Sequence, residues 1–185
     1  MSDVIEFMLG DHLRIRRLLA ALDDAARYSA RDGRGGLDWT PAAIWARLAT
    51  VLTLHADAEQ EICFAHLYRD RPDWLSELND AVAVLNDVRE AVAEARLQEA
   101  VSPAWWRAAH AARRSICDHI VTIERGAMAD FQARSPAGLR EQLGRQWVAF
   151  TAARQRDGVY EEREFHAIRP APLTAATVAR TSRLR

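Results

Sequence analysis

The chain lacks several features that would point to particular classes of protein. It has no lysine, and its arginines nearly balance its acidic residues to a net charge of −1, so no overall positive field favours a nucleic-acid partner. Two cysteines, Cys63 and Cys117, are too few for a disulfide scaffold. No apolar run is long enough to cross a membrane, and the first residues do not form a secretory signal. These absences predict a cytoplasmic protein with reduced thiols and no contact with a membrane.

Apolar residues, by contrast, are plentiful and recur with the period of a helix. They make up 49% of the 185 residues, which is enough for one substantial core. The pattern predicts an all-α protein with almost no strand. The predicted helices span residues 3–29, 41–68, 74–100, 103–131 and 136–156, the last with a continuation to 166 after a break at Asp157-Gly158.

Short connections between the first four helices predict an up-down-up-down four-helix bundle. We expect this bundle to occupy residues 1–134 and an accessory C-terminal helix to occupy residues 135–168. Residues 169–185 contain four arginines and no acidic residue, and they predict a flexible, disordered basic tail.

Histidines and glutamates interrupt the apolar faces of these helices. His12 is the single polar member of the stripe on the first helix, His55 and Glu59 lie four residues apart on the second, and His119 continues an apolar stripe on the fourth. Buried imidazole and carboxylate groups cost several kcal/mol when nothing compensates them. All lie near the middle of their helices, so a bundle can bring them to one level. A metal ion is the simplest compensation, and this mixture of nitrogen and oxygen ligands suits iron, with manganese or zinc as alternatives.

Three motifs strengthen this prediction because they occur together and in order. They are Asp11-His12-Leu-Arg-Ile-Arg-Arg-Leu-Leu, His55-Ala-Asp-Ala-Glu59-Gln-Glu61-Ile-Cys-Phe-Ala-His-Leu-Tyr68, and His119-Ile-Val-Thr-Ile-Glu124. The pattern resembles the hemerythrin-like family, also called the HHE cation-binding domain, over roughly residues 4–131. The resemblance implies a two-iron centre in which His12, His55 and His119 are nitrogen ligands. It also implies that Glu59 and Glu124 are bridging carboxylates.

The chain departs from this family on the third helix, which normally supplies at least one histidine. Here the corresponding face is apolar throughout, and Leu85 stands where the family histidine is expected. One metal position would keep His12 and His55, and the other would keep only His119 beside the shared carboxylates. Either a single ion or a very open second position therefore remains, and we expect the centre to be open on the side facing the third helix.

The spacing of His119 and Glu124 raises a second question. Five residues on a regular α-helix turn through about 140°, so Glu124 would point away from the core. Met128 and Phe131 fit the apolar register of Glu124 rather than that of His119. An extra residue in one turn would reconcile the two registers, and we therefore expect a π-type bulge just after His119.

Three functions are compatible with these features. The first is a protein that binds or senses dioxygen or nitric oxide at ferrous iron. The second is a small oxygen-activating oxidase or oxygenase, which would also need a small-molecule substrate or a reductant. The third is a metal-free, degenerate bundle that acts as an interaction scaffold. A carrier would bind dioxygen reversibly, whereas an oxidase would consume it.

Overall fold

The computed structural model of the chain describes residues 3–32, 40–70 and 72–156. These residues are almost entirely helical and include no strand, which confirms the predicted all-α bundle. The predicted basic tail at 169–185 and the continuation of the last helix to residue 166 lie outside the described residues. The elements are α1 (Val4–Asp32), α2 (Pro41–Ala58), a π-helical segment (Glu59–Phe64), α3 (Ala65–Asp70), a 3-10 turn (Pro72–Trp74), α4 (Leu75–Leu97), α5 (Pro103–Arg125), α6 (Ala127–Arg134) and α7 (Ala137–Arg156).

Two of the predicted helix starts have the expected capping chemistry. The Thr40 hydroxyl accepts a hydrogen bond from the backbone N–H of Ala43 at 3.2 Å, and Pro41 follows it. Ser102 caps α5 in the same way by accepting from Trp105 N–H at 3.2 Å, again followed by a proline. A side-chain oxygen satisfies a backbone donor that the first turn leaves free, and proline has no donor to lose there. These caps fix where the two helices that carry His55 and His119 begin.

The bundle is held by helix pairs that pack along their apolar faces. α4 packs extensively on α5, and α1 packs on α2. The accessory helix α7 lies against α1, and it also contacts α2 and the π segment. Buried Leu143 and Trp147 anchor α7, so this helix forms part of the wall of the core.

The core consists of two apolar clusters with a polar layer between them. The first cluster contains Ile15, Leu52 and Ile116, and the second contains residues such as Met8 and Ile123. On α1, α2 and α5 the change from one cluster to the other occurs within about one turn of the histidine. The histidines therefore lie at one level of the bundle, as predicted from their mid-helix positions.

The predicted π-bulge after His119 is wrong. α5 is α-helical through Arg125, and the helix is interrupted only at Gly126, where φ and ψ are −104° and −109°. Met128 and Phe131 are buried beyond this break, so the change of apolar register that the sequence shows is made by the Gly126 turn. A Cβ at Gly126 would lie 3.1 Å from the carbonyl oxygen of Thr122, and this close approach favours glycine at the break.

The π segment lies instead on the second long helical run, and it begins at Glu59. The added residue shifts the buried face by one position. Leu67 is buried beyond it, whereas His66, which continues the predicted stripe, is partly exposed. A single-residue π insertion in an α-helix is often found at a functional site. None of the described helices is long and apolar enough to cross a membrane.

Candidate metal centre

Three of the predicted ligands converge in the polar layer. His55, Glu59 and His119 each offer one ligand atom, these atoms all lie within 4.8 Å of one another, and all three side chains are buried. His55 is in the last turn of α2, Glu59 is the first residue of the π segment, and His119 comes from α5. The spacing of four residues puts His55 and Glu59 on one helix face, as predicted.

The hydrogen bonding of this group is incomplete. Nε2 of His119 lies 2.8 Å from Oε2 of Glu59, a good hydrogen bond. Oε1 of Glu59 and both ring nitrogens of His55 are buried and have no hydrogen bond from any described residue. The Nε2 atom of His55 lies 3.6 Å from Glu59 Oε2, too far for a good hydrogen bond. Buried polar atoms are nearly always paired, and each unpaired one costs about 1–3 kcal/mol.

A metal cation fits these unpaired atoms. Imidazole nitrogens and a carboxylate oxygen are the donors that iron, manganese and zinc take in proteins. Two ligands of one ion, with bonds of about 2.0–2.2 Å, lie at most about 4.4 Å apart, so the group needs only a small contraction. The donor set and its burial are therefore those of a group that could hold a metal ion.

His12 joins the layer from α1. Its ring is fully buried, and its centroid lies 4.8 Å from that of His55 in an edge-to-face arrangement. One nitrogen, Nδ1, makes a hydrogen bond of 2.9 Å with Oε1 of Glu124. The other, Nε2, is buried and has no hydrogen bond within the described residues. His12 thus places a further nitrogen atom that could ligate a metal next to the three convergent side chains.

Glu124 lies at the rim of the centre, with a side chain that is 23% exposed. On the regular α5 helix it points away from the seam of His119 and towards α1, where it meets His12. Arg16, one turn beyond His12, donates two hydrogen bonds of 2.9 Å to the two Glu124 oxygens. The structure therefore brings His55, Glu59 and His119 into one group, places His12 beside it and leaves Glu124 at its edge. The assignment of all five as ligands stays a prediction.

Burial and mutual charge perturb the acidity of these groups. Burial most strongly, and then the neighbouring charge of His55, lower the pKa of His12 to about 4. For His55 burial alone would lower the pKa, but Asp11 and Glu59 outweigh it and raise the pKa above its usual value. Burial opposes ionisation of Glu59, yet the surrounding histidines, with His119 foremost, hold the pKa of that carboxyl well below its ordinary value. Glu59 is therefore ionised, and its negative charge favours a cation in the layer.

Sequence reasoning missed three residues that border the centre. Asp11 places Oδ2 3.7 Å from Nδ1 of His55, and Arg16 binds Glu124. Trp147 of α7 packs its ring 6.0 Å from that of His55. The spacing of four between His12 and Arg16 was a usable signal, because it places both on one helix face. Asp11 and Trp147 depend on how the helices are rotated against each other, and no local pattern encodes that rotation.

An apolar side chain of α4 lies at the level of the centre. Leu85 of α4 is fully buried and belongs to the second cluster, whereas Val88, one turn later, belongs to the first. Leu85 is therefore at the level of the polar layer, as its alignment predicts. A small apolar pocket lies one turn from the layer, and its lining includes Met8, Cys63 and Ile123, each four residues from a predicted ligand.

Comparisons of the chain with protein-family models, with curated proteins and with solved structures found no match in any of the three. The resemblance carried by the three motifs therefore stays a prediction. What the structure itself supports is a helical bundle with a buried His/Glu group that could hold a metal ion.

Proposed function

We propose that the protein is a hemerythrin-like, non-haem iron protein that binds or senses dioxygen or nitric oxide at the His/Glu centre. The convergence of unpaired, buried donors supports it most directly: three side chains from two helical runs point at one another with more lone pairs than hydrogen bonds. A bundle with no use for a metal would be more stable with apolar residues there. Iron bound at this point would supply an electron-rich site for a diatomic ligand.

The surroundings of the centre support a small, weakly polar ligand. Leu85 and Trp147 offer apolar surface, and the nearby pocket is lined by apolar and sulfur-containing side chains. An apolar lining of this kind disfavours water and larger polar substrates. Dioxygen and nitric oxide are small, carry no charge and fit such an environment.

The second candidate is an oxygen-activating oxidase. The fully buried Leu85 favours it, since α4 contributes an apolar side chain where a further nitrogen ligand is expected. Metals that do chemistry keep a coordination position free of protein ligands. An apolar wall also provides no hydrogen-bond donor to hold bound dioxygen in place. In that case the ferrous protein would be oxidised quickly, and azide or nitric oxide would still bind readily.

Metal analysis with anaerobic ferrous reconstitution tests the proposal. We expect iron to bind the wild-type chain and to be lost from His55→Ala and Glu59→Ala, with a lower melting temperature of the loaded protein, because metal binding adds to folding stability. His110→Ala is the matched control, since His110 is exposed and stacks on Trp106. Iron binding that survives His55→Ala unchanged would contradict the proposed centre.

Oxygen consumption separates the two candidates. A sensor or carrier takes up dioxygen once and releases it under vacuum, with a return of the ferrous optical spectrum. An oxidase consumes dioxygen continuously when a reductant is supplied. An oxygen electrode and optical spectra recorded on the same reconstituted sample distinguish these outcomes.

A further inference from the structure

We infer that Glu124 positions His12 instead of binding metal, and that the centre holds one metal ion with His12, His55, Glu59 and His119 as its ligands. This inference rests on the proposed metal centre and goes beyond it, because it fixes the number of ions and gives Glu124 and Arg16 a role. Both oxygens of the Glu124 carboxylate already accept hydrogen bonds from His12 and Arg16, and the inference is based on these contacts.

Three N–H groups can saturate the Glu124 carboxylate. Oε1 lies 2.9 Å from both Nδ1 of His12 and Nη1 of Arg16, and Oε2 lies 2.9 Å from Nη2 of Arg16. Two parallel bonds from a guanidinium to a carboxylate form a strong and geometrically specific pair. A bridging role in a two-ion centre would require Glu124 to break these bonds and turn inward. The pair also neutralises the charge of Glu124, so that charge is not free to balance a second cation.

The same contacts set the orientation of the His12 ring. A carboxylate on Nδ1 selects the neutral tautomer with the proton on Nδ1, and this leaves the Nε2 lone pair for a metal. His12 Nε2 is the atom that is buried without a hydrogen bond from the described residues. Asp11 stands in a similar relation to His55, with its Oδ2 3.7 Å from Nδ1. Two histidines therefore have a carboxylate on the Nδ1 side and an unpaired Nε2, an arrangement common around metals.

The number of available ligand atoms and the charge of the polar layer also favour a single ion. His55, Glu59 and His119 supply three ligand atoms that lie within 4.8 Å of one another, and His12 would supply the fourth by moving its Nε2 towards them. Four ligands are a sufficient set for one ion with or without a further small ligand. A second ion would need ligands from α4, where Leu85 is buried at the level of the layer. It would also bring two more positive charges into a layer in which Glu59 is the single fully buried carboxylate among the described residues. Uncompensated buried charge is costly, so the layer favours one ion.

Metal stoichiometry and histidine tautomers together test the inference. The wild-type chain is titrated anaerobically with Fe²⁺ and, in parallel, with diamagnetic Zn²⁺, and bound metal is counted by elemental analysis after gel filtration. We expect one ion per chain. Histidine ¹⁵N spectra of the zinc form should show His12 with its proton on Nδ1 and the metal on Nε2. Two ions per chain, or His12 bound through Nδ1, would overturn the inference.

The variants separate positioning from ligation. Glu124→Ala should keep one ion per chain but bind it roughly 10–100-fold more weakly, the usual effect of removing an outer-shell partner, and the His12 tautomer signal should broaden or change. Glu124→Gln should restore the tautomer and most of the affinity, because an amide oxygen still accepts from Nδ1–H. Arg16→Gln should give a smaller loss than Glu124→Ala. If Glu124→Ala binds fewer ions per chain than the wild type, the carboxylate is a ligand and the inference is overturned.

Glu61→Ala is the matched control, because Glu61 is exposed and pairs with Arg154 at 3.2 Å. It should change neither stoichiometry nor the His12 spectrum. A chain that binds no metal in any of these titrations would contradict the proposed function itself. A chain that binds two ions would leave the proposed function standing and contradict only the single-ion centre.

Discussion

Replacing His55 with leucine should make the metal-free protein more stable and the metal-loaded protein less stable. His55 is fully buried, and both of its ring nitrogens lack a hydrogen bond from the described residues. Leucine has a similar volume, so the change removes two unpaired polar atoms without opening a large cavity. The remaining hydrogen bond between His119 and Glu59 does not involve the replaced side chain.

The size of the effect follows from these contacts. Each unpaired buried polar atom costs about 1–3 kcal/mol. The attraction of His55 to Glu59 at 3.6 Å and to Asp11 at 3.7 Å, which is strong enough to raise the pKa of His55, offsets much of that cost. We therefore expect His55→Leu to raise the free energy of unfolding of the metal-free chain by roughly 2 kcal/mol. For a chain of this length that corresponds to a rise of about 4–8 °C in melting temperature.

Bound metal should make the wild type more stable than His55→Leu. A ligand present at about 100 times its dissociation constant stabilises the folded state by about 2.7 kcal/mol, and at about 1,000 times by about 4.1 kcal/mol. The wild type gains this stabilisation and His55→Leu does not. Denaturant unfolding followed by circular dichroism, with a chelator and then with excess Zn²⁺ or anaerobic Fe²⁺, measures both states. His110→Leu, at an exposed site, should change the free energy of unfolding by less than about 0.5 kcal/mol, both with the chelator and with the metal.

Destabilisation of the metal-free protein by His55→Leu would refute this reasoning. It would mean that the imidazole is a structural part of the core with contacts worth more than its unpaired nitrogens cost. An equal effect with and without metal would likewise show that His55 does not take part in binding the ion.

Three further predictions concern neighbouring residues. The pKa of His12 is lowered from 6.5 to about 4, so the unfolded chain binds more protons between these values. The metal-free protein should therefore lose up to about 3 kcal/mol of stability as the pH falls through that window. In His12→Gln the stability should depend less on pH over the same window. An unchanged pH dependence in this variant would contradict the lowered pKa of His12. Leu85→His should add a ligand and slow the oxidation of the ferrous protein in air, and optical spectra that show equal rates would count against an open position beside α4. Trp147 packs 6.0 Å from the His55 ring, so binding of Fe²⁺ or Co²⁺ should quench its fluorescence, and Trp147→Phe should remove most of the metal-dependent signal.

The helices and the faces that carry the histidines could be predicted from the sequence because both depend on local periodicity. Apolar residues at spacings of three and four define the buried stripe of α1, and His12 falls within it. Thr40-Pro41 and Ser102-Pro103 mark helix starts through hydrogen bonds within one turn. The all-α bundle and the burial of His55, Glu59 and His119 follow from these short-range features.

The π segment could not be placed in this way, because two apolar registers overlap in that stretch. Ile62 and His66 continue an unbroken α-helical stripe from Glu59, whereas Cys63 and Leu67 define a stripe one residue later. The structure buries the second register beyond the bulge. The choice depends on contacts with α1 and α7, which local spacing does not reveal. The position of Glu124 has the same origin, since its partners His12 and Arg16 are more than 100 residues away in the chain.

Anomalous scattering from crystals of the iron-loaded chain would show directly where the metal binds. Data collected on either side of the iron absorption edge locate iron without reference to any assumed site. We expect one anomalous peak per chain, within bonding distance of His55, Glu59 and His119 in the polar layer of the bundle. A layer without a peak, or iron bound only at surface side chains, would contradict this expectation.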